Sequence, residues 1–496
     1  MEKEKIQIKL KRHKWPDEVE KEKEKKTNLI TTIVIVIVSL AIGFSFGGVF
    51  YKQEPLASNP ELARFERVYN RLLDGWFFTN EMEDPASQMI ENAIHGMIDR
   101  NGDEHTSYMT LEQSQMFTDS IDMSFVGIGV QYFTEENLIT RVFKDSPAEK
   151  AGILPGDIMV AVDDIKLSDL TEDDDLRDYI LGERGTAVNI TVNRLGDILT
   201  FEVIRDAVNA LTWGEMLNND TGYLEIASFG SSLRQATEIY LEHFKASNVK
   251  NLIIDFRDNG GGYLDAINDL STLFFEPGTT VYFEKFTTGN EVEYKVTENG
   301  FTPYEYENIV VLVNGNTASA SEVFALALRD NLGATIIGDK TFGKGTVQTQ
   351  VQDGVDNSFL KYTFAKWYSP LNESIDQVGI EPDIEVKLPE ILYASYVTQD
   401  ENERIPYDSV HEGVAYVQKG LKFLGYHSGR TDGYYDDATR NALLSFKQAH
   451  SLGNESDIDH EIITNVYSAV IKEWSHHKNT HDTQLHKALE VVKGES

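Results

Sequence analysis

The sequence predicts an α+β protein of several domains that follows an N-terminal membrane-spanning helix. Three observations support this prediction. The length of 496 residues is enough for about three domains. A long apolar stretch without charges lies near the N-terminus. Beyond it the pattern changes from helical periodicity to short apolar strands, and then to strand–turn–helix units.

Net charge and the absence of cysteine exclude several classes of function. The formal charge is −36, and nucleic-acid affinity rests on clustered Lys and Arg, so we expect no nucleic-acid partner. The chain contains no Cys, which excludes disulfides, a thiolate nucleophile and Cys-ligated metals. The sequence also lacks a His-Glu-x-x-His zinc motif, and we expect neither a metal nor a cofactor. Covalent catalysis would have to use Ser, Thr, Lys, His or a carboxylate.

The N-terminal 50 residues are organised like a membrane anchor. Residues 1–28 carry ten basic and seven acidic side chains, a net charge of +3, and the rest of the chain carries −39. Residues 29–50 hold no charge, and as a helix they would extend about 33 Å, enough to cross a bilayer core. A buried core element and a cleaved signal peptide are the alternatives, but the length and the lack of a small-x-small cleavage site disfavour them. We therefore expect a single-pass membrane protein with residues 1–28 in the cytoplasm and the later residues outside it.

Residues 60–115 are predicted to be helical. Their apolar side chains recur at helical spacing, and the first group is Leu62, Phe65, Val68, Tyr69, Leu72 and Leu73. We interpret this segment as a docking or dimerisation element, so a homodimer is one hypothesis.

Residues 116–206 combine short apolar strands with turns and a short helix. The stretches Phe125-Val-Gly-Ile-Gly-Val130 and Ser146-Pro-Ala-Glu-Lys-Ala-Gly152 resemble a PDZ domain of the bacterial protease type. The resemblance implies that a glycine-rich turn binds the C-terminal carboxylate of a polypeptide, which then adds as a strand to the sheet edge. The residues of that turn are Val126, Gly127, Ile128 and Gly129.

Residues 207–392 contain two strand–turn–helix units. In the first, the apolar run 252–256 leads into Arg257-Asp-Asn-Gly-Gly-Gly262 and then a helical stretch. This arrangement aims backbone N–H groups at one point and so predicts an anion or oxyanion site. A simple tight turn is the plain alternative. A phosphate cradle is a weaker one, because no Gly-Lys-Ser/Thr follows.

In the second unit a strand, 309–313, leads through a turn to a helix near Ser319 and Ser321. Either serine could cap the helix, since Glu322 lies at capping-box spacing from Ser319. Either could also be a nucleophile, because a helix start stabilises developing negative charge. The pattern by itself does not rank the two serines.

A base for such a serine is suggested by Lys344, which lies between two glycines at the start of an apolar strand. Burial there would lower its pKa and allow it to act as a neutral base. Gln348 lies four residues further along the strand and is expected on the same side. It could hold the amine by a hydrogen bond.

Three motifs in this segment resemble those of the carboxyl-terminal processing, or tail-specific, serine proteases. They are Asn314-Gly-Asn-Thr-Ala-Ser-Ala-Ser-Glu-Val323, Ile337-Gly-Asp-Lys-Thr-Phe-Gly-Lys-Gly-Thr-Val-Gln348 and Gly379-Ile-Glu-Pro-Asp-Ile384. The resemblance implies an α/β, crotonase-like protease core. It also implies that Ser319 is the nucleophile, Lys344 the general base and Gln348 its support. The oxyanion hole is expected from the backbone N–H groups of Gly261 and Ala320.

The expected activity is therefore that of a serine endopeptidase which cleaves exported or membrane-associated proteins and recognises their C-termini. The alternative is a catalytically inactive scaffold made of the same domains. Residues 405–472 contain a Leu-Gly-Tyr and an Asp-Gly motif between helical patterns and resemble a three-helix peptidoglycan-binding domain, which implies peptidoglycan as a partner. Residues 473–496 are predicted to form a polar helix or loose tail.

Overall fold

A computed structural model describes residues 59–171, 174–297, 300–352, 357–400, 403–427 and 429–494. The predicted span 29–50 and the basic arm 1–28 lie outside these residues. Within the described ranges, no helix is long and apolar enough to cross a membrane. The chain divides into two compact units, Met1–Met97 and Ile98–Ser496.

The described part of the first unit, residues 59–97, is helical, as its periodicity predicted, whereas residues 107–109 of the predicted helical segment form a strand instead. Its elements are α1 (Pro60–Gly75), a 3₁₀ turn (Phe77–Glu81) and the start of α2 (Pro85–Asp99). Helix α1 begins after Asn59, whose Oδ1 accepts the N–H of Glu61 at 2.9 Å, and this bond satisfies one unpaired donor of the first turn. Apolar side chains at helical spacing stay exposed on α1, namely Leu62, Phe65, Val68 and Leu72.

The second unit begins with β1 (Ser107–Met109) and α3 (Leu111–Asp122) and continues into the PDZ-like segment. The elements of this segment are β2 (Ser124–Gly127), β3 (Val130–Phe133), β4 (Leu138–Val142), α4 (Pro147–Ala151), β5 (Ile158–Val162), β6 (Ile165–Lys166), α5 (Leu176–Ile180), β7 (Ala187–Arg194), β8 (Asp197–Ile204) and β9 (Asp206–Asn209). The strands form one antiparallel sheet in the order β3-β4-β5-β7-β8, with β6 beside β5, while β2 pairs with β9. Strand β3 is therefore an edge strand of this sheet.

The predicted catalytic segment is built on two sheets. Its elements are β10 (Thr212–Met216), β11 (Thr221–Ile226), α6 (Leu233–Ala246), β12 (Asn251–Asp255), α7 (Leu264–Ser271), β13 (Thr280–Phe286), β14 (Glu291–Lys295), β15 (Asn308–Val313), α8 (Ala320–Leu332), β16 (Thr335–Gly338), β17 (Thr346–Gln352), β18 (Phe359–Tyr368) and β19 (Ile384–Glu385). The first sheet has the order β10-β11-β12-β15-β16-β19, and all its pairs except β10–β11 are parallel. Because β12 and β15 are parallel neighbours, the two predicted turns emerge side by side. The second sheet has the order β1-β18-β13-β14, with β17 also on β18.

Three helices form the C-terminal module. They are α9 (Glu412–Phe423), α10 (Asp437–Ala449) and α11 (His460–His476), with a short ribbon of β20 (Arg404–Ile405) and β21 (Ile458–Asp459). The module packs on the PDZ-like segment, where His460 Nε2 lies 3.0 Å from Glu136 Oε2. In the same interface Ser468 Oγ donates to the carbonyl of Gly156 at 2.5 Å.

The last residues return to the catalytic segment. After α12 (Lys478–His481), helix α13 (Thr483–Val492) buries Leu485, Ala488 and Val492 against the first sheet. The sequence predicted a polar helix or loose tail here. The helix is present, and its few apolar residues lie on one face. The polar overall composition of the segment did not indicate that this face is buried.

Candidate active site

Hydrogen bonds join the turns that follow β12 and β15. The Ala318 N–H donates to the carbonyl of Asn259 at 3.0 Å, and Thr317 Oγ1 donates to the carbonyl of Phe256 at 2.8 Å. The Asp258 N–H donates to Asn314 Oδ1 at 3.0 Å. The two turns therefore form one rigid group at the carboxyl ends of the parallel strands, where α/β sheets bind their ligands.

The backbone of Ser319 is strained. Its φ of 56° and ψ of −120° lie in a region that residues other than Gly rarely adopt, at a cost of roughly 1–3 kcal/mol. Ser321, two residues later, is fully buried and its Oγ donates to the carbonyl of Asn259 at 3.1 Å. The two serines are therefore not equivalent, because the Ser321 hydroxyl already holds α8 against the first turn.

A buried carboxylate, that of Glu322, connects the strained serine to the predicted base. Its Oε2 accepts the backbone N–H groups of Ser319 and Lys344, each at 2.9 Å. Its Oε1 accepts Thr341 Oγ1 at 2.5 Å and the Gly343 N–H at 2.8 Å. Burial raises the pKa of Glu322, although these hydrogen bonds act in the opposite direction. The sequence predicted only the local capping bond, since the bonds to 341–344 depend on tertiary structure.

Lys344 has the electrostatic surroundings that a neutral base requires. Burial lowers its pKa from the ordinary range, and the charge of Lys361 adds to that effect. Asp103 and Glu322 act in the opposite direction. Among the described residues no hydrogen bond joins Lys344 Nζ to Ser319 Oγ or to Gln348, so the Ser–Lys pair is open in this structure.

Gln348 lies on β17 and bonds to two threonines. Its Nε2 donates to Thr346 Oγ1 at 2.9 Å and to Thr363 Oγ1 at 3.0 Å. The prediction that it shares a side with Lys344 assumed an uninterrupted strand. Strand β17 begins after Lys344, and its register against β18 shifts between Val347 and Gln348. The extra residue at this shift is Phe364 of β18, since Val347 pairs with Ala365 and Gln348 with Thr363. The alternation along β17 itself is not interrupted, and the shared side of Lys344 and Gln348 stays a prediction.

The two predicted oxyanion donors flank Ser319. A Cβ at Gly261 would lie 2.8 Å from Ser319 Cβ, and the φ of Gly261 is +108°, so only glycine fits there. Its N–H donates to Asn259 Oδ1 at 2.9 Å and would have to leave that acceptor to bind an oxyanion. The Ala320 N–H has no backbone acceptor within the described chain. The oxyanion role of both residues stays a prediction.

Residues 103–106 also lie beside the site, although the sequence assigned this segment to docking. Strand β1 pairs with β18, and Ser107 faces Lys361. Burial lowers the pKa of His105, and the charges of Lys344 and Lys361 add to that effect. The His-Thr-Ser-Tyr stretch at 105–108 is the local signal in the sequence that could have pointed to this segment.

The glycine-rich turn of the PDZ-like segment is closely packed at Gly129. Gly129 has a φ of +83°, and a Cβ there would lie 2.4 Å from Ser146 Cβ. The carbonyls of Ile128 and Gly129 accept the N–H groups of Ala148 and Phe143, at 2.8 and 3.1 Å. The N–H groups of Ile128 and Gly129 have no backbone acceptor in the described ranges. The turn therefore offers two donors next to the open edge of β3.

A separate cavity of about 970 Å³ lies between the PDZ-like segment and the first catalytic sheet. The ion pair of Arg141 with Glu225 forms part of the cavity wall. Lys144 and Trp213 also line the cavity, and Lys144 Nζ lies 5.7 Å from the centre of a Trp213 ring. Neither Ser319 nor Lys344 lines this cavity.

Comparison with known proteins supports these assignments of segments. Residues 220–386 match Peptidase family S41, residues 138–194 a PDZ domain and residues 410–454 a putative peptidoglycan binding domain. The carboxy-terminal processing protease CtpA of Bacillus subtilis is 32% identical over 420 residues, which cover 82% of this chain and 86% of that protein. The chain belongs to the S41 peptidases of the carboxy-terminal processing type.

A second curated relative covers a similar share of the chain. A probable CtpA-like serine protease of Staphylococcus epidermidis is 29% identical over 435 residues, covering 87% of this chain and 86% of the relative. The solved photosystem II D1 C-terminal processing protease matches with a TM-score of 0.41 and 24% identity, over 67% of this chain and 95% of that one. As an S41 member the protein is a serine peptidase, with PDZ and peptidoglycan-binding domains beside the peptidase domain.

Proposed function

We propose that this chain is a membrane-anchored, extracytoplasmic endopeptidase that uses Ser319 as nucleophile, Lys344 as general base and Gln348 as support for the base. The observation that carries the proposal is the shared acceptor Glu322 Oε2, which fixes the backbones of Ser319 and Lys344 next to each other. The lowered pKa of Lys344 supports its role, because a base must be neutral to accept a proton.

The reaction is acyl transfer. Ser319 Oγ attacks the substrate carbonyl while its proton passes to Lys344 Nζ, and the N–H groups of Ala320 and Gly261 stabilise the oxyanion. Lys344 then returns the proton to the departing amine, leaving an acyl-enzyme that water hydrolyses by the same route. Ser319 Oγ and Lys344 Nζ are not hydrogen-bonded here, and we infer that this bond forms when substrate binds.

Substrate recognition is assigned to the PDZ domain. The N–H groups of Ile128 and Gly129 have no backbone acceptor among the described residues, and they suit a terminal carboxylate. The edge strand β3 begins at the next residue and suits an added substrate strand. We infer that the preferred substrates are exported or membrane-associated polypeptides with a free C-terminus.

The location and partners follow from other segments. The +3 arm and the uncharged stretch 29–50 support a single-pass anchor. Deletion of residues 29–50 tests this, because it should move the protein from the membrane pellet to the soluble fraction.

The three-helix module supports attachment to peptidoglycan. Co-sedimentation of the full chain with purified sacculi tests this. The exposed apolar stripe of α1 supports pairing with a second copy, which sedimentation velocity tests.

The decisive experiment compares the full chain with three variants in hydrolysis of a reporter peptide that has a free C-terminus. Ser319→Ala and Lys344→Ala should abolish turnover. Ser321→Ala is the matched control, since its hydroxyl is buried in a structural bond, and it should keep turnover near that of the wild type. Equal turnover of Ser319→Ala and the unmodified chain would contradict the mechanism.

A second function is favoured by the lack of a hydrogen bond between Ser319 Oγ and Lys344 Nζ in the described part of the chain. On this alternative the chain is an inactive scaffold that binds C-termini and cell wall. It predicts that the unmodified chain binds the reporter peptide and hydrolyses none, under conditions in which its S41 relatives are active.

A further inference from the structure

Three turns of the PDZ domain lie at one end of its sheet and contact the C-terminal module. They join β3 to β4, precede β5 and join β7 to β8. The strand registers place them together, because Leu138 at the start of β4 pairs with both Phe133 and Ile158. Ile158 also pairs with Asn193, near the end of β7. The turn at 126–129 precedes β3, so the module contacts the far end of this strand from the predicted carboxylate site.

The aromatic ring of Phe133, the last residue of β3, packs among tyrosines of the module. Its centre lies 5.2 Å from that of the Tyr396 ring and 6.4 Å from that of the Tyr467 ring, both edge to face. The two tyrosine rings are 5.3 Å apart, and each also packs on Tyr416 of α9. Edge-to-face pairs at these separations are favourable. The end of β3 is thus attached to the module through its final side chain.

The turn after β3 adds a polar contact. The side chain of Glu136 is only 8% exposed, and its Oε2 lies 3.0 Å from Nε2 of His460, the first residue of α11. The hydroxyl oxygens of Thr464 and Tyr396 are 2.8 Å apart, which joins the aromatic group to the same helix. A buried carboxylate is costly without a charged or hydrogen-bonding partner, and α11 supplies that partner to the turn.

The turn before β5 fits closely against α11. The Ser468 hydroxyl donates to the carbonyl of Gly156 at 2.5 Å. Gly156 has a φ of +93°, and a Cβ there would lie 2.6 Å from the carbonyl oxygen of Ser468 and 3.0 Å from Lys472 Cβ. A side chain at this position would therefore push the turn away from the helix.

Strand β3 benefits from this support because it pairs on one side only. Its neighbour in the sheet is β4, and its other side is the edge to which a substrate strand would add. Ordering a loose strand at the moment of binding costs conformational entropy, and this cost lowers the affinity. A strand whose end is already fixed avoids most of that cost.

We propose that the C-terminal module positions β3 for substrate binding and so raises the affinity of the PDZ domain for polypeptides with a free C-terminus. The inference rests on the proposed function, in which β3 is the edge that receives the substrate. It gives the module a role besides attachment to peptidoglycan. The effect is on substrate binding and not on the chemical step.

One pair of variants of the full chain tests the contact from the PDZ side. In Gly156→Ala the new Cβ would separate the turn from α11. Gly185→Ala is the matched control, because Gly185 has a φ of +85° and open space around it. The two variants carry the same backbone strain, and only the first one disturbs the module.

A second pair tests the contact from the module side. Tyr396→Leu removes the ring that packs on Phe133. Tyr426→Leu is the control, because the Tyr426 ring packs on Phe446 inside the module. Both tyrosines pack against the core of the module, so a general loss of its stability would affect both variants.

Fluorescence anisotropy with a labelled peptide that ends in a free carboxylate reports the affinity, and hydrogen exchange of residues 130–133 reports the order of β3. We expect the affinity to fall about three- to tenfold in Gly156→Ala and Tyr396→Leu, with faster exchange in β3. The KM for the reporter peptide should rise while kcat stays unchanged. Both controls should match the unmodified chain.

Two results would overturn the inference while leaving the proposed function standing, when the unmodified chain binds the peptide. The first is unchanged affinity in Gly156→Ala and Tyr396→Leu. The second is an equal loss of affinity in Tyr426→Leu, which would show that only the stability of the module matters. If the unmodified chain does not bind the peptide, the PDZ role in the proposed function fails, and this inference fails with it.

Discussion

Ser319 and Lys344 donate their backbone N–H groups to the same oxygen atom, Glu322 Oε2, each at 2.9 Å. The two nitrogen atoms are therefore separated by no more than twice that distance. One residue starts α8 and the other precedes β17, so a single buried carboxylate holds together two distant parts of the chain. These two bonds fix the backbones of Ser319 and Lys344 next to each other.

Replacing Glu322 should reduce activity strongly. Glu322→Gln keeps the size of the side chain but replaces one acceptor oxygen with an N–H₂ group, so at least one of its four donors loses its partner. A buried donor without a partner costs about 1–3 kcal/mol. We expect a fall of tenfold or more in kcat and a lower unfolding temperature, measured by peptide hydrolysis and calorimetry. Glu381→Gln, at an exposed ion pair with Lys340, should change neither, and full activity of Glu322→Gln would contradict the role of the shared oxygen.

The pH dependence of activity should report the pKa of Lys344. The base works in its neutral form, so kcat/KM should rise with pH through that pKa, which burial and Lys361 lower. Lys361→Gln removes a positive charge, raises the pKa of Lys344 and should move the rising limb to higher pH. Lys361→Arg keeps the charge and should leave the limb in place. A limb that does not move in Lys361→Gln would show that Lys344 is not the titrating base.

The PDZ turn should not tolerate a side chain at Gly129. In Gly129→Ala the new Cβ would lie 2.4 Å from Ser146 Cβ, and the residue keeps a φ of +83°. Gly185→Ala is a matched control, because Gly185 has a φ of +85° and open space around it. The control should lose about 1 kcal/mol of stability, and Gly129→Ala a further 1–3 kcal/mol or so from the clash.

Peptide binding separates the two glycine variants further. Fluorescence anisotropy with a labelled peptide that ends in a free carboxylate should show lost binding for Gly129→Ala and retained binding for Gly185→Ala. Equal affinities would mean that this turn does not bind the carboxylate.

The C-terminal segment should be needed for a stable peptidase domain. The Arg257 guanidinium lies between two buried carboxylates, with Nη2 at 2.6 Å from Asp255 Oδ2 and 2.8 Å from Asp482 Oδ2. Asp482→Ala breaks this buried network and should cost about 3–5 kcal/mol in urea unfolding. Asp432→Ala removes an exposed pair with Arg430 and should leave the free energy of unfolding nearly unchanged, because solvent screens such pairs. Equal losses in the two variants would contradict a structural role for Asp482.

Local patterns predicted much of the site, because the chemistry is carried by short motifs. The run at 252–256 and the turn before Ser319 each have the composition of a strand that leads into a helix start, and parallel strands place such turns at one edge. Glycines on both sides of Lys344 indicated a desolvated amine, and burial does lower its pKa. The sequence also indicated the glycine-rich turn at 126–129, because a left-handed glycine conformation is a local property.

The sequence by itself determined the order of the domains, the membership of the carboxyl-terminal processing family and the residue types available for catalysis. Tertiary structure decided which groups meet. It buried the Ser321 hydroxyl in a structural bond, joined Glu322 to the segment before β17, brought Thr106 beside Thr363 and packed α13 against the first sheet. Each of these contacts joins residues far apart in the chain or depends on the register of a neighbouring strand, and local periodicity contains no information about either.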